Sequence, residues 1–490
     1  MNRKGEMRRA TVLFLVLLIC YAYFLPRWAE WNQNSRMDLT MAIVEQGTFI
    51  IDDYYENTGD YAVYGGHVYT DKAPGTSFVG VPAYAVFRAL ARLPVVERLL
   101  ERASRSSAFQ ATLQERGTGL LEEKVRFAAA LYFVTSLSIA VPSALLGGLM
   151  YRFLGHILPS PGLRWLLVLA YGLGTIAWPY STVLYGHQLA AVLLFAAFYL
   201  AWRVRRGTLN ASALWGIGAL LGLAVLVEFP ALPAAAFLTL YTLLPAPLRP
   251  APLRPTSLLP RSIAPLLLAA LPFALLLAYY NATCFGSPFA SGYRYLANFP
   301  EISGYGLLGF GPPRWEPLWG ITFSPYRGLF YLSPFLLLAL PGFVAWVKER
   351  EWRAEGVLAA AFAGVQFLLI SCWYDWRGGF AIGPRNLLLV LPYLVVAVAF
   401  FLRRWGGKGR LAFGGLVLLS LGMTGVAATA GQSFPPITIA NPWTAYWWPR
   451  FIVGDVTRNL GMAAGLPGLW SLLPLPTTVG VGTLLARRWG

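Results

Sequence analysis

"VYTDKAPGTSFVGVPAYAVF", residues 68 to 87, sets Asp71 and Lys72 directly against an apolar stretch. Whether that stretch crosses a bilayer decides the fold, because it fixes the side on which every later loop lies. The surrounding chain has 490 residues, 57% hydrophobic and 12% charged. A soluble domain carries about 25% charged residues, and apolar runs near 20 residues recur along this chain, so the composition is that of an all-α polytopic membrane protein. The net charge of +17 would point to nucleic acid in a soluble protein. In a membrane chain, Lys and Arg collect in cytoplasmic loops and set the topology, so no nucleic-acid partner is expected.

Apolar runs fall at residues 10–26, 76–93, 126–151, 165–180, 183–202, 211–227, 229–245, 262–280, 328–347, 356–373, 386–402, 411–428 and 471–486. With Arg3, Lys4, Arg8 and Arg9 on the cytoplasmic side, a crossing at 76–93 would put the later basic loops outside. Those loops hold Arg203, Arg205 and Arg206; Arg249, Arg254 and Arg261; and Arg403, Arg404, Lys408 and Arg410. Without that crossing they all lie inside, with Arg487 and Arg488, as the positive-inside bias requires. The 76–93 segment also carries Arg88 and Arg92 on one helical face, opposite Phe78, Val81 and Ala85, the pattern of an interfacial helix. The expectation is therefore about twelve spans with both termini cytoplasmic, forming one integral membrane domain over 1–490. The first run, 1–26, follows a basic start and is read as a retained span, not a cleaved signal.

The first outer loop then spans 27–125, far longer than ordinary connections and so a candidate for function. It opens on "RWAEWNQNSRMDLTMAIVEQG", where Trp28 and Trp31 suit an interface belt. Asn34, Asp38 and Glu45 share one helical face, which predicts a second amphipathic helix on the outer surface, stopped by Gly47. Spans two to seven are expected over 126–280 and spans eight to eleven over 328–428. Outer loops follow at 281–327, 372–385 and 429–470, with the last span in 471–490. The Pro/Arg-rich segment 247–261 reads as a cytoplasmic spacer. Three cysteines, Cys20, Cys284 and Cys372, make no disulfide framework.

Polar residues gather at the outer ends of the predicted spans: Tyr185 and His187, Glu228, Arg327, and Asp375, Arg377 and Arg385. Ionisable groups at membrane depth are costly and tend to mark function. Each also has a structural reading, as an interfacial anchor, a packing histidine or a paired acid. Carboxylates and cations beside an interfacial helix suit chemistry on a lipid phosphate, with Lys and Arg stabilising the leaving phosphate and a carboxylate taking a proton from an attacking hydroxyl. The chain has no P-loop and no dinucleotide fingerprint.

Four stretches carry a resemblance to membrane glycosyltransferases of the GT-C class, family 39 type, which includes protein O-mannosyltransferases and the aminoarabinose transferase acting on lipid A. A helical stretch from Asn32 leads to Gly47. "TDKAPGTSFVGVPAYAVF" is similar to that family's "(E/H)KPP" element and the helix after it. "RFAAALYFVTSLSIAVPSALLGGLMYRFLG" resembles its first return span, and "GPRNLLLVLPYL" its late "RYxLPxLP" element. The layout covers the whole chain, while the motifs are short.

The resemblance implies a polyprenyl-phosphate sugar as donor, an acceptor that is a lipid, glycan or protein, and an inverting reaction at the outer face. It carries the phosphate contact onto Lys72. The family's acidic pair at the start of the first outer helix is replaced by "NQNSRMD", leaving Asp38 as the expected base with Asp60 and Asp71 in reserve. Arg385, Arg36 and Arg377 are expected to help hold the phosphate. Asn34, His67, Tyr69, His187, Glu228, Asp375 and Arg327 are expected around the sugar or acceptor. No cofactor is required, although site carboxylates could hold a divalent cation. Two other readings stay open: a transporter or flippase of lipid-linked sugars, which should show inverted repeats, and a non-catalytic assembly subunit.

Overall fold

A computed structural model describes residues 3–27, 30–105, 121–244, 259–306 and 309–488. Trp28 and residues 247–258 of the basic spacer lie outside them. The longer elements are α1 (Arg3–Ala22), α2 (Trp31–Glu45), a hairpin of β1 (Tyr61–Tyr64) and β2 (His67–Thr70), α3 (Gly75–Ala91) and α4 (Pro94–Arg105). Then follow α5 (Lys124–Leu154), α6 (Pro161–Leu173), α7 (Gly186–Arg205), α8 (Ala213–Val227), α9 (Phe229–Leu243) and α10 (Ile263–Phe285). The series ends with α11 (Pro334–Lys348), α12 (Arg353–Cys372), α13 (Arg385–Thr429) and α14 (Gly468–Arg487).

The all-α expectation holds, but the count of spans does not. Among the described residues 6 helices are long and apolar enough to cross a membrane, or 7 if α3 and α4 form one broken span. Apolar composition does not fix helix length, and that accounts for the difference. The run at 165–180 makes a helix of only 13 residues, because Gly174 ends it and Pro179 follows; it reaches roughly 20 Å of a hydrocarbon core of about 30 Å. The runs at 211–227 and 229–245 are separated by Glu228, whose backbone is extended at φ −149 and ψ 119. The runs at 386–402 and 411–428 merge into the 45 residues of α13, which kinks at Gly406 with φ 53 and ψ −129. In α1, Glu6, Arg8 and Arg9 stand in the first half of the helix.

Packing follows the small residues. A side chain at Gly218 of α8 would meet the Leu266 carbonyl of α10 at 2.2 Å, and one at Gly222 would meet Ala270 Cα at 2.9 Å. The four-residue spacing lets the two backbones approach closely, as membrane helices do. Leu267, Leu268, Leu271 and Leu275 on α10 remain exposed, an apolar face suited to lipid. Cys20, Cys284 and Cys372 are all free.

Two ends of the bundle differ. At one, Arg164 grips Glu6 at 2.7 and 3.0 Å, Arg9 donates to the Ala486 carbonyl, and Arg206 pairs with Glu351. This end gathers both terminal helices. At the other end the hairpin, α2 and the start of α3 cover the ends of α7, α8 and α13.

The two helices expected after the first span are present, with α2 closed by Gly47 at φ 70. They are not held as loose surface helices. The polar face of α2 is buried from Asn32 to Arg36, with Asp38 and Thr40. It locks onto α3 through Ser77 Oγ donating to the Arg36 carbonyl (2.8 Å) and Thr40 Oγ1 donating to the Ser77 carbonyl (3.2 Å). Arg88 of α3 donates to the Val44 carbonyl. Beyond Arg92 the chain turns by 92° into α4, so 76–93 is no part of one straight span.

Candidate functional site

The opening motif folds as a tight support for Lys72. Its Gly75 is obligatory: a Cβ there would lie 2.5 Å from the Leu226 carbonyl group at the end of α8. Gly186 is fixed in the same way, since its Cβ would meet Glu228 Oε1 at 2.5 Å and Thr76 Oγ1 at 2.6 Å. Three chain segments are therefore pressed together where the polar residues meet.

Lys72 Nζ lies 2.8 Å from Asp60 Oδ2 and 2.9 Å from Asp71 Oδ2, with all three side chains largely buried. Burial alone would lower the lysine; Asp60, then Asp71 and Tyr293, outweigh it and hold the ammonium above its ordinary range. Asp71 is pushed up to about 6 by burial, against the pull of Lys72. Burial also raises Asp375, with Arg385 and Lys72 opposing and Asp60 assisting. Its Oδ1 accepts the Gly378 N–H at 3.2 Å.

Arg385 enters from the start of α13. Its guanidinium lies 5.4 Å from the centre of the Tyr185 ring, and the Tyr185 hydroxyl donates to Glu30 Oε2 at 3.1 Å. Glu30 Oε1 accepts the Phe434 N–H at 2.7 Å. Burial lifts Glu30 to about 7, with the Phe434 amide, Arg27, Tyr185 and Arg385 pulling the other way. Arg385 Nε is buried without a hydrogen-bond partner. Among the described residues the Arg385 side chain makes neither a hydrogen bond nor an ion pair.

A second polar chain runs beside the first. Arg36 donates to Asn32 Oδ1, the Ala73 carbonyl and Thr76 Oγ1, and binds Glu228 Oε1 at 2.6 Å. His187 Nδ1 is 3.4 Å from the same carboxylate, and its Nε2 shares a hydrogen bond with Asn386 Oδ1 at 2.9 Å. Gln366 donates to the Asn386 carbonyl. Five segments, α2, α3, α7, α12 and α13, are tied around Glu228.

Of the residues expected from sequence, Lys72, Asp60, Asp71, Asp375, Arg385, Arg36, His187 and Glu228 form this centre. Asp38 does not join the Lys72 group. It is fully buried; its Oδ1 accepts from Asn57 Nδ2 at 2.9 Å and its Oδ2 has no partner. Burial raises it well above its ordinary value, with the Asn57 hydrogen bond opposing. Asn34 donates to the Asn57 carbonyl and holds the same loop.

Three other expected residues also fall away from the centre. His67 pairs with Asp52 at 2.8 Å on the exposed hairpin, because Gly65 and Gly66 turn it outward at positive φ. Tyr69 is packed with Leu39, Ala62, Tyr280 and Phe285 in a separate apolar cluster. Arg377 makes an exposed pair with Glu316 at 3.0 Å. Arg327 is buried and binds the Ala381 and Gly379 carbonyls, shaping the loop before Arg385.

Sequence reasoning missed Glu30 and Tyr293, and gave Asn386 no role. Glu30 sits one residue before α2, next to the position where an acidic pair was sought, and only its depth distinguishes it from a surface acid. Burial lifts Tyr293 to about 12, with Lys72 opposing and Asp71 and Glu228 assisting. Among the described residues no three His, Cys, Asp or Glu side chains gather as metal ligands. No family model, curated protein or solved structure matches the chain.

Proposed function

We propose that the chain is an inverting glycosyltransferase that takes a sugar from a polyprenyl-phosphate donor at the outer face of a bacterial plasma membrane. In this reading both termini are cytoplasmic and the acceptor is a lipid, glycan or protein. The observation that carries it is the Arg385 guanidinium, partly buried at the site with Asp375 and Asp60 favouring its charge but with no hydrogen bond or ion pair among the described residues, beside an ammonium shared by two carboxylates. The Arg385 donors stay unused among the described residues, and phosphate oxygens are acceptors that the planar fork of a guanidinium matches well. The apolar helix ends below the site would receive the isoprenoid chain.

Lys72 and Arg385 hold the phosphate and offset the charge that grows on it. Asp60, the more accessible of the two lysine-bound acids, takes the proton of the acceptor hydroxyl. The acceptor oxygen bonds the anomeric carbon from the opposite face, the bond from that carbon to the phosphate oxygen breaks, and polyprenyl phosphate leaves. Arg36, Glu228 and His187 fix the floor of the site. Tyr185, anchored by Glu30, positions Arg385.

The experiment is sugar transfer from a radiolabelled polyprenyl-phosphate hexose by the purified full chain in lipid nanodiscs, using cell-envelope extract as acceptor. Lys72→Ala and Arg385→Ala should each lower turnover by about a hundredfold or more, with Asp60→Asn equally affected and Asp38→Asn close to wild type. Wild-type turnover in Lys72→Ala and Arg385→Ala would overturn the reading. A dead Asp38→Asn beside an active Asp60→Asn would return the base to α2.

A further inference from the structure

At the opposite end of the bundle a cavity of about 520 Å³ opens between the turn that joins α5 to α6 and the kink in α13. Its volume falls within the range of small-ligand sites. His156, Ser160, Leu163, Leu402, Arg403 and Arg410 line it, and no acid does. Among the described residues neither the Arg403 nor the Arg410 guanidinium makes a hydrogen bond or an ion pair. The left-handed Gly406 lies between them and turns the chain so that both arginines, seven positions apart, reach one hollow.

The field around the cavity has the same sign. Partial burial and then Arg203, Arg206, Arg152 and Arg164 lower the His156 pKa, so four further cations surround that wall. Three acids at this end are engaged elsewhere: Glu6 with Arg164 and Arg9, Glu351 with Arg206, and Glu355 with the Tyr241 hydroxyl. Leu163 and Leu402 add an apolar side. This site is remote from Lys72 and independent of the reading given above.

We propose that this cavity binds a phosphate group, supplied by an anionic lipid headgroup or by phosphate in solution. Two free guanidinium groups provide the bidentate donors that phosphate oxygens accept. Basic pockets between membrane helices on the cytoplasmic side are suited to such headgroups. The leucines favour the lipid, since an acyl chain can follow the headgroup onto them.

The test uses the full chain in a neutral detergent, with its melting midpoint followed during separate titrations of phosphatidylglycerol, phosphatidylcholine and inorganic phosphate. Phosphatidylglycerol should raise the midpoint where phosphatidylcholine does not. The double variant Arg403→Ala/Arg410→Ala should weaken the response at least about tenfold. Leu163→Trp, which fills the cavity without changing charge, should weaken it as well, and Arg404→Ala should leave it unchanged. A rise with phosphatidylglycerol that inorganic phosphate does not reproduce assigns the lipid; a rise with inorganic phosphate alone assigns the free ion. No rise with either, or an equal rise in the double variant, overturns the proposal. So does a response lost in Arg403→Ala/Arg410→Ala but kept in Leu163→Trp, which would reduce it to a general surface field.

Discussion

Arg36 and Glu228 lie 2.6 Å apart with 2% and 8% of their side chains exposed; Arg377 and Glu316 lie 3.0 Å apart with 49% and 64% exposed. The distances are nearly the same, and the surroundings give the two pairs opposite meanings. Around Glu228 every polar group has been withdrawn from water, so each cation and acid must find its complement within the protein. At the rim, water and salt can replace either partner. The same contrast separates the Lys72 group from the His67–Asp52 pair on the hairpin. Charge alone marked both regions, and depth sorts them.

Breaking the buried pair should cost the most stability. Arg36→Ala leaves the Glu228 carboxylate, the Ala73 carbonyl and Thr76 short of a donor. Loss of one partner from a buried pair costs about 3–5 kcal/mol, read as a fall in the denaturation midpoint of the purified chain. Arg36→Met combined with Glu228→Gln should recover part of it, because no naked charge remains. A loss in Arg36→Ala no greater than that of a rim variant would mean that burial does not set the worth of these pairs.

Glu30 gives the next effect, through pH. Its folded value of about 7 exceeds the ordinary 4.5. Between those two values the native state keeps a proton that the unfolded chain has released, so this group's stabilising contribution is complete below about 4.5 and is lost as pH rises to about 7. Glu30→Gln imitates the protonated form and lets the Tyr185 hydroxyl accept where it had donated. The variant should therefore match wild type near pH 4.5 and exceed it at pH 8 by about 1–3 kcal/mol, measured as the difference in melting midpoints. Asp71 is displaced in the same direction, so a residual slope should survive in the variant. An unchanged slope would mean that Glu30 is solvated after all.

Part of this contrast was written in the sequence. The Asp71–Lys72–Pro74–Gly75 run, the two helices that follow α1 and the gathering of acids and arginines away from the basic loops could be read directly. They follow from local chemistry: turn residues, helical periodicity and the sign of loop charge. Depth is a property of the assembled chain and could not be read in the same way. Asp38 looked like the better base because it stands in α2 near the position the resemblance singled out. Packing instead sealed it against Asn57 and brought Asp60, a loop residue, onto Lys72. Glu30 and Tyr293 had no signal that would lift them above other polar loop residues. The span count failed for a related reason: hydropathy reports which segments are apolar, whereas Gly174, Glu228 and the kink at Gly406 decide where helices stop.

Exposed pairs should respond least of all. His67 and Arg377 were both expected at the site from sequence, and both now sit in exposed pairs at its rim. Arg377→Ala removes a contact with Glu316 that water can replace, so it should change stability by less than about 1 kcal/mol, with the difference shrinking further as salt is raised. His67→Ala should behave alike and leave Asp52 still accepting the Val68 N–H at 2.7 Å. Sugar transfer should stay within about twofold of wild type in both, since a rim charge acts mainly on encounter and not on the bound state. A transfer rate in Arg377→Ala that falls as far as in Arg385→Ala would mean that the loop carrying both arginines closes over the donor, drawing the rim inward and ending the distinction between the two regions.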